Sequence, residues 1–199
     1  MKRPTLAFDL SVSDPPRVLL VSGSLRARST NTAVLRTAQQ VAPRGMVAVL
    51  YGGLADLPHF NPDDDADPLP SAVTTLRAEI RRADAVVFST PEYAGALPGS
   101  FKNLLDWTIG DDRAGSIYEK PVAWINPSPR GALNAHESLR TVLGYAHAHI
   151  VEPACAQIPV LGAAVGDGGL IDDPGIRDQI ADALTRLADH LRVRRIATG

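Results

Sequence analysis

Two stretches of this sequence gather side chains suited to holding a ligand. The first is Ser22-Gly23-Ser24-Leu25-Arg26-Ala27-Arg28-Ser29-Thr30-Asn31-Thr32. It follows the short apolar run Val18–Val21 and leads into a stretch of helical spacing. An anion at such a place needs backbone N–H groups at a helix N-terminus, hydroxyl or amide donors, and optionally a cation. Ser24, Ser29, Thr30, Asn31 and Thr32 offer the donors, Arg26 and Arg28 the charge, and Gly23 a sharp turn away from the strand. The segment is neither a Walker P-loop, which needs Gly-x-x-x-x-Gly-Lys-Ser/Thr, nor the Gly-x-Gly-x-x-Gly dinucleotide fingerprint. A turn that only caps a helix would use the same residue types, but the donors here outnumber what one cap requires.

The second stretch runs from Ser89 to Trp107 after another apolar run, Ala85–Phe88. Pro91-Glu92-Tyr93-Ala94-Gly95 is a turn with one carboxylate and one aromatic ring. Pro98–Trp107 has helical spacing, with Phe101, Leu104, Leu105 and Trp107 assigned to the core and Lys102 with Asp106 to an exposed i, i+4 pair. A third turn, Asn126-Pro127-Ser128-Pro129-Arg130-Gly131-Ala132, offers Ser128 and Arg130; an ordinary turn with a solvated Arg is the alternative. His136, His147 and His149 read as helix-surface residues, since a metal site would want further ligands on the same face. His59 reads as a loop residue and Asp63-Asp64-Asp65 as a solvated charge run. Gly166-Asp167-Gly168-Gly169 lacks the carboxylate spacing of a calcium loop. Cys155, with no triad context around it, reads as buried or inert. No metal site is expected.

The elements that must position these turns follow from periodicity. Short apolar runs at Val18–Val21, Met46–Tyr51, Ala85–Phe88 and Val122–Ile125 suit strands buried on both faces. Ile150–Val151, together with Ile158–Val160, suits a fifth. Helical spacing falls at Asn31–Val41, Ser71–Ala83, Gly99–Trp107, Ala132–His147 and Pro174–Arg192. Strands alternating with helices predict a doubly wound five-stranded parallel sheet in a three-layer α/β/α sandwich, residues 17–199, behind an N-terminal tail, residues 1–16. The chain has 199 residues, 45% of them apolar, and a formal net charge of −2. That charge leaves no footprint for nucleic acid or an anionic membrane. No apolar run reaches the roughly 18 to 20 residues that span a bilayer, and the first residues do not read as a signal peptide. One cysteine among 199 residues fits a reducing, cytoplasmic setting.

Gly23-Ser24-Leu25-Arg26-x-x-Ser29-x-Asn31, followed by Pro-Glu-Tyr-x-Gly and Pro-Gly-x-x-Lys-Asn-x-x-Asp-Trp, resembles the NADPH-dependent FMN reductase family of flavodoxin-like quinone, chromate and azo-dye reductases. The resemblance implies a flavodoxin-like strand order, whose ligand crevice lies between the first and third strands. It implies that Ser24, Arg26, Ser29, Asn31 and Thr32 gather around the FMN phosphate. Pro91, Glu92, Tyr93, Ala94 and Gly95 would then meet the flavin edge, and Ser128 and Arg130 the flavin or the phosphates of the nicotinamide cofactor. Ala94 departs from the pattern: the family usually has Asn there, so one side-chain amide is missing while backbone contacts survive. The implied activity is an FMN-dependent NAD(P)H oxidoreductase. NADPH or NADH donates hydride to bound FMN, and a quinone, azo compound, metal oxyanion or free flavin then takes the electrons, with no protein acid or base required. A flavin reductase that exports reduced FMN to a monooxygenase is the alternative enzyme, and a non-catalytic electron carrier the alternative outside enzymes. The resemblance also implies a homodimer or homotetramer.

Overall fold

The structure, a computed structural model, describes residues 14–198. The elements are β1 (Arg17–Ser22), α1 (Thr30–Val41), β2 (Val47–Tyr51), α2 (Ser71–Arg82), β3 (Ala85–Ser89), α3 (Gly99–Ile109), β4 (Pro121–Asn126), α4 (Leu133–Tyr145), β5 (His149–Ile150), β6 (Ala156–Gln157) and α5 (Pro174–Thr198). All pairings in the sheet are parallel, in the order β2-β1-β3-β4-β5, with β6 also paired to β4.

Alternation along the buried strands splits the core into two layers. Leu19, Val21, Val86, Phe88, Val122 and Trp124 face α2, α3 and α4, packing on Leu76, Ile80, Phe101, Leu105 and Leu139. Val18, Leu20, Val87, Ala123 and Ile125 face α1 and α5, packing on Val34, Ala38, Ile180, Leu184 and Leu187. Both faces of each central strand are therefore dry, which is why β1, β3 and β4 read as continuous apolar runs rather than alternating ones. Each buried Leu or Ile contributes roughly 1.5–3 kcal/mol of transfer free energy. Phe101, Leu104, Leu105 and Trp107 are all in the core, and Lys102 pairs with Asp106 on the surface at 2.5 Å, as their spacing predicts.

Four expectations change. The fifth strand is broken: β5 pairs with the start of β4 and β6 with its end, and a one-turn 3-10 helix, Glu152–Ala154, lies between them. Pro153 explains the break, because it cannot donate to the ladder. Helix α5 runs past Arg192 to Thr198 although Val193 and Ile196 are exposed; Arg194 donates to the Glu119 carbonyl and Arg195 to the Asp14 carbonyl, so side-chain bonds rather than burial hold its last turns. Asp65 is not a solvated charge, because Arg77, buried, pairs with it at 2.7 Å. His136 is not a surface residue: it is buried on α4 beside Trp124. Of the expected tail, residues 1–13 lie outside the described residues; Pro16 already accepts a bond from Val47 N–H at 2.9 Å, at the start of the β1–β2 pairing.

Candidate functional site

Three turns meet at the carboxyl edge of the sheet because their strands are neighbours. In the parallel pairing of β1 with β3, Ser22 lies opposite Ser89. The chain places β2 on one side of β1 and then β3 on the other, so a crevice opens between the turns that leave β1 and β3. Gly23 N–H donates to the Ser89 carbonyl at 2.8 Å and locks the two turns together at their bases.

The turn after β1 is built inward from its hydroxyls. Ser22 Oγ and Thr32 Oγ1 share a bond of 2.8 Å, which ties the strand end to the first turn of α1. Ser24 N–H donates to Ser22 Oγ at 3.3 Å, and Arg26 N–H to Ser24 Oγ at 3.3 Å. Ser29 is the N-cap of α1, its Oγ accepting from Thr32 N–H at 3.4 Å. That bond is long, and the first turn of any helix leaves amides without intrahelical acceptors. Asn31 is buried; its Oδ1 accepts from Ser89 Oγ at 3.0 Å, which leaves its amide N–H groups to donate. Arg26 and Arg28 are exposed, beside a set of buried or half-buried donors. Ser24, Ser29, Asn31 and Thr32 are thus brought together at one positive helix end, a donor set that fits a phosphate.

The turn after β3 begins at Ser89 and Thr90, both fully buried. Tyr93 and Ala96 exchange both backbone bonds at 3.0 Å, with Ala94 at φ +49° and Gly95 at φ +72° between them. Two central residues of positive φ make this a type I′ turn, which favours Asn-Gly. Ala94 therefore holds a conformation that costs a residue with Cβ about 1 kcal/mol. Tyr93 is 47% exposed, its ring free to meet a planar ligand. Glu92 turns away from the crevice mouth: its carboxylate accepts from Ala135 N–H in the first turn of α4 at 3.1 Å.

The turn after β4 is shaped by Asn126. Its Oδ1 accepts from Ser128 N–H at 3.0 Å, and its Nδ2 donates to the Gly131 carbonyl at 2.5 Å. Ser128 Oγ accepts from Arg130 N–H at 3.3 Å, and the Arg130 side chain is exposed. His136 Nδ1 bonds the Ala132 carbonyl at 2.8 Å, so Nδ1 carries the proton; Nε2 has no partner among the described residues. Burial lowers the imidazole pKa below its usual value and keeps the ring neutral. Loop 57–61 lies over α3: Asn103 Nδ2 and Trp107 Nε1 both donate to the Pro58 carbonyl at 2.8 Å, and His59 is exposed on that loop.

Sequence reading did not single out Ser89 or Thr90, and it placed His136 on the helix surface. Ser-Thr directly after a continuous apolar strand was the available signal for the first two, because that position is the carboxyl edge of a parallel sheet. Cys155 is half-buried, and its thiol is pushed up to about 11, chiefly by burial, which leaves it unreactive. A cavity of about 970 Å³ lies at the opposite edge of the sheet, bounded by Arg81, Asp84, Lys120 and Arg194 among others, away from all three turns. Among the described residues no helix is long and apolar enough to cross a membrane, and no group of three or more His, Cys, Asp or Glu could hold a metal ion.

The sequence model of the NADPH-dependent FMN reductase family matches residues 16–159. An NAD(P)H-dependent FMN reductase of Pseudomonas aeruginosa is 34% identical over 188 residues, 93% of this chain and 99% of that protein. A quinone reductase of Pseudomonas putida strain KT2440 is 34% identical over 163 residues, 78% of this chain and 84% of that protein. Among solved structures, the flavoenzyme NAD(P)H:(acceptor) oxidoreductase FerB of Paracoccus denitrificans superposes with a TM-score of 0.77 at 29% identity, covering 89% of this chain and 97% of that one. The matched span contains all three turns, and this chain belongs to the NADPH-dependent FMN reductase family.

Proposed function

We propose that the protein is an FMN-dependent NAD(P)H oxidoreductase acting on a small-molecule acceptor such as a quinone. The observation that carries the reading is the opposition of Ser22 and Ser89, which joins the hydroxyl-lined helix end of α1 to the Tyr93–Ala96 turn across the crevice between β1 and β3. FMN held here would supply the redox chemistry between a nicotinamide donor and the acceptor. The chain's own work is binding and orientation. Ser24, Ser29, Asn31, Thr32 and the first-turn amides of α1 hold the phosphate, with Arg26 adding charge from the exposed side. Pro91, Glu92, Tyr93, Ala94 and Gly95 form the wall for the ring system, where backbone N–H and C=O groups meet its polar edge and Tyr93 packs on its apolar surface. Ser128 and Arg130 border the side from which a second ligand enters.

The enzyme works as a homodimer or homotetramer in this reading. Leu25, Tyr93 and Leu133 are 57%, 47% and 67% exposed on the turns of the site and on the first turn of α4, apolar area that a second copy would cover. A single cysteine suits a cytoplasmic home.

The test is direct. The protein is incubated with FMN, freed of excess and examined by visible spectroscopy, then treated anaerobically with NADPH or NADH. Bound flavin that bleaches with either donor is expected; no bound flavin, or no bleaching with either, overturns the reading. Arg26→Ala with Asn31→Ala weakens FMN binding by roughly tenfold or more while the far-ultraviolet circular dichroism stays unchanged. Unchanged affinity places the phosphate elsewhere.

A further inference from the structure

Glu92 and α4 have complementary deficits. The N-cap of α4 is Ala132, at φ +46°, with no side chain able to accept from the helix's first amides. Its first turn has no acidic residue of its own. Of the first-turn amides, the one at buried Ala135 needs an acceptor from elsewhere. Glu92, 43 residues away in sequence, supplies it: Oε2 accepts from Ala135 N–H at 3.1 Å, and Ala135 is fully buried. The carboxylate also places negative charge at the positive end of the helix dipole. His136, the neighbouring titratable group in that turn, donates from Nδ1 to the Ala132 carbonyl and stays neutral, so it does not compete for that role.

The same bond restrains the turn after β3. Glu92 immediately precedes the type I′ turn, in which Ala94 is held at positive φ against its preference. A Cβ placed on Gly95 would lie 3.7 Å from Asn134 Nδ2, so the tip of the turn also rests near the first turn of α4. Such a conformation persists only where surrounding contacts over-determine it. Helix α4 is in turn continuous with the Asn126–Ala132 turn, whose path Asn126 fixes at Ser128 and Gly131.

We propose that Glu92 is a positioning residue: its hydrogen bond to Ala135 N–H clamps the turn after β3 to the turn and helix after β4, and so fixes the spacing of two of the three walls of the site. The inference rests on the FMN reading for its functional consequence, while the clamp itself is a property of the protein without ligand. Glu92 acts through its acceptor oxygen and takes no proton from a substrate.

Two near-isosteric variants separate the bond from the bulk. Glu92→Gln keeps a carbonyl acceptor, and Glu92→Met keeps the length and apolar volume but has no comparable acceptor. In FMN-free protein, hydrogen exchange of the Ala135 amide is expected to quicken roughly tenfold or more in Glu92→Met and to return most of the way in Glu92→Gln. In FMN titrations, Glu92→Met is expected to raise Kd roughly tenfold and to alter the visible circular dichroism of bound flavin, with Glu92→Gln recovering both. Unchanged exchange at Ala135 in Glu92→Met overturns the clamp. Faster exchange with unchanged FMN affinity and flavin dichroism overturns its role in the site. Equal damage in Glu92→Gln and Glu92→Met overturns positioning through the hydrogen bond. Failure of the unaltered protein to bind FMN defeats the cofactor reading alone, and the exchange measurement still decides the clamp.

Discussion

Gly23 is the point where two walls of the site touch, and replacing it by Ala tests whether that contact matters. The backbone at Gly23 does not require glycine through positive φ; the constraint is space. A Cβ there would lie 2.6 Å from Thr90 Oγ1, 2.8 Å from Phe101 Cγ and 2.9 Å from Thr90 Cβ. Carbon atoms in contact prefer about 3.5–4.0 Å, so the turn after β1 must move by about 1 Å or push its neighbours. The neighbours cannot yield cheaply, because Thr90 and Phe101 are both fully buried and the Phe101 ring packs on Phe88 with centroids 5.7 Å apart. Overpacking of this kind costs about 1–3 kcal/mol. For a chain of this size each kcal/mol lowers Tm by roughly 2–4 °C, so Gly23→Ala is expected to lose about 2–12 °C. A movement of about 1 Å also stretches hydrogen bonds of ordinary length beyond their useful range, and FMN Kd should rise roughly tenfold for each bond lost. Differential scanning fluorimetry and flavin titration measure the two effects. Thr90→Ala removes the nearest offending atom, so Gly23→Ala with Thr90→Ala should be more stable than the sum of the single changes predicts, with a coupling of roughly 0.5–2 kcal/mol. A Gly23→Ala protein with unchanged Tm and unchanged FMN affinity would refute the steric argument and the assignment of this contact to the site.

Ala94 and two histidines, buried His136 and half-buried His190, give two further expectations. Ala94→Asn should raise Tm by roughly 2–4 °C, because Asn tolerates the positive φ that Ala94 holds at a cost of about 1 kcal/mol; a lower Tm would mean that the turn is not strained at Ala94. His136 and His190 both titrate below the usual imidazole value, His136 mainly through burial and His190 through burial together with the nearby His149 and Arg194 charges. The unfolded chain then takes up protons first as pH falls below about 6.5, so the stability these neutral rings contribute is complete above that pH and is lost as pH falls toward their folded values. Tm should drop between pH 7.5 and 5.5, and less so in His136→Gln; a flat profile over that interval would contradict the assignment.

The fold was legible because burial on both faces leaves a simple mark. Val18–Val21, Ala85–Phe88 and Val122–Ile125 are continuous apolar runs, and the three central strands sit on them. The fifth strand was harder because it is short and interrupted, and its pairing partners are split between the two ends of β4. In the site, the turn after β1 could be read because its donors lie within eleven consecutive positions and open a helix. The clamp at Glu92 could not: its partner is a backbone amide 43 residues away, and an amide leaves no trace in residue type. His136 was misplaced for a related reason. It falls on α4 at a position whose burial depends on the packing of Trp124, on a strand, and helical spacing alone treats it as a polar residue bound for solvent.

The polarity of the sheet favours the three turns over the large cavity at the far edge as the place for a phosphate. In a parallel α/β arrangement the helices return antiparallel to the strands, so helix N-termini collect at the carboxyl edge of the sheet and C-termini at the other. Unpaired amides and positive dipole ends therefore face the three turns, and unpaired carbonyls face the cavity. The basic residues at the cavity are already matched to that environment. Lys120 donates to the Ala83 carbonyl just past the end of α2, Arg194 to the Glu119 carbonyl, Arg81 pairs with Asp111 at 2.8 Å and Arg195 with Asp84 at 3.1 Å. Burial draws the Lys120 ammonium down to about 8, as expected of a cation held for structure in a dry place. Volume alone favours the cavity, whereas the direction of the backbone dipoles favours the turn at Ser24–Thr32. For a ligand whose tightest feature is a phosphate dianion the dipoles decide, because charge-assisted bonds to amides and hydroxyls are about twice as strong as neutral ones and the first-turn amides of α1 lie at the edge of the three turns.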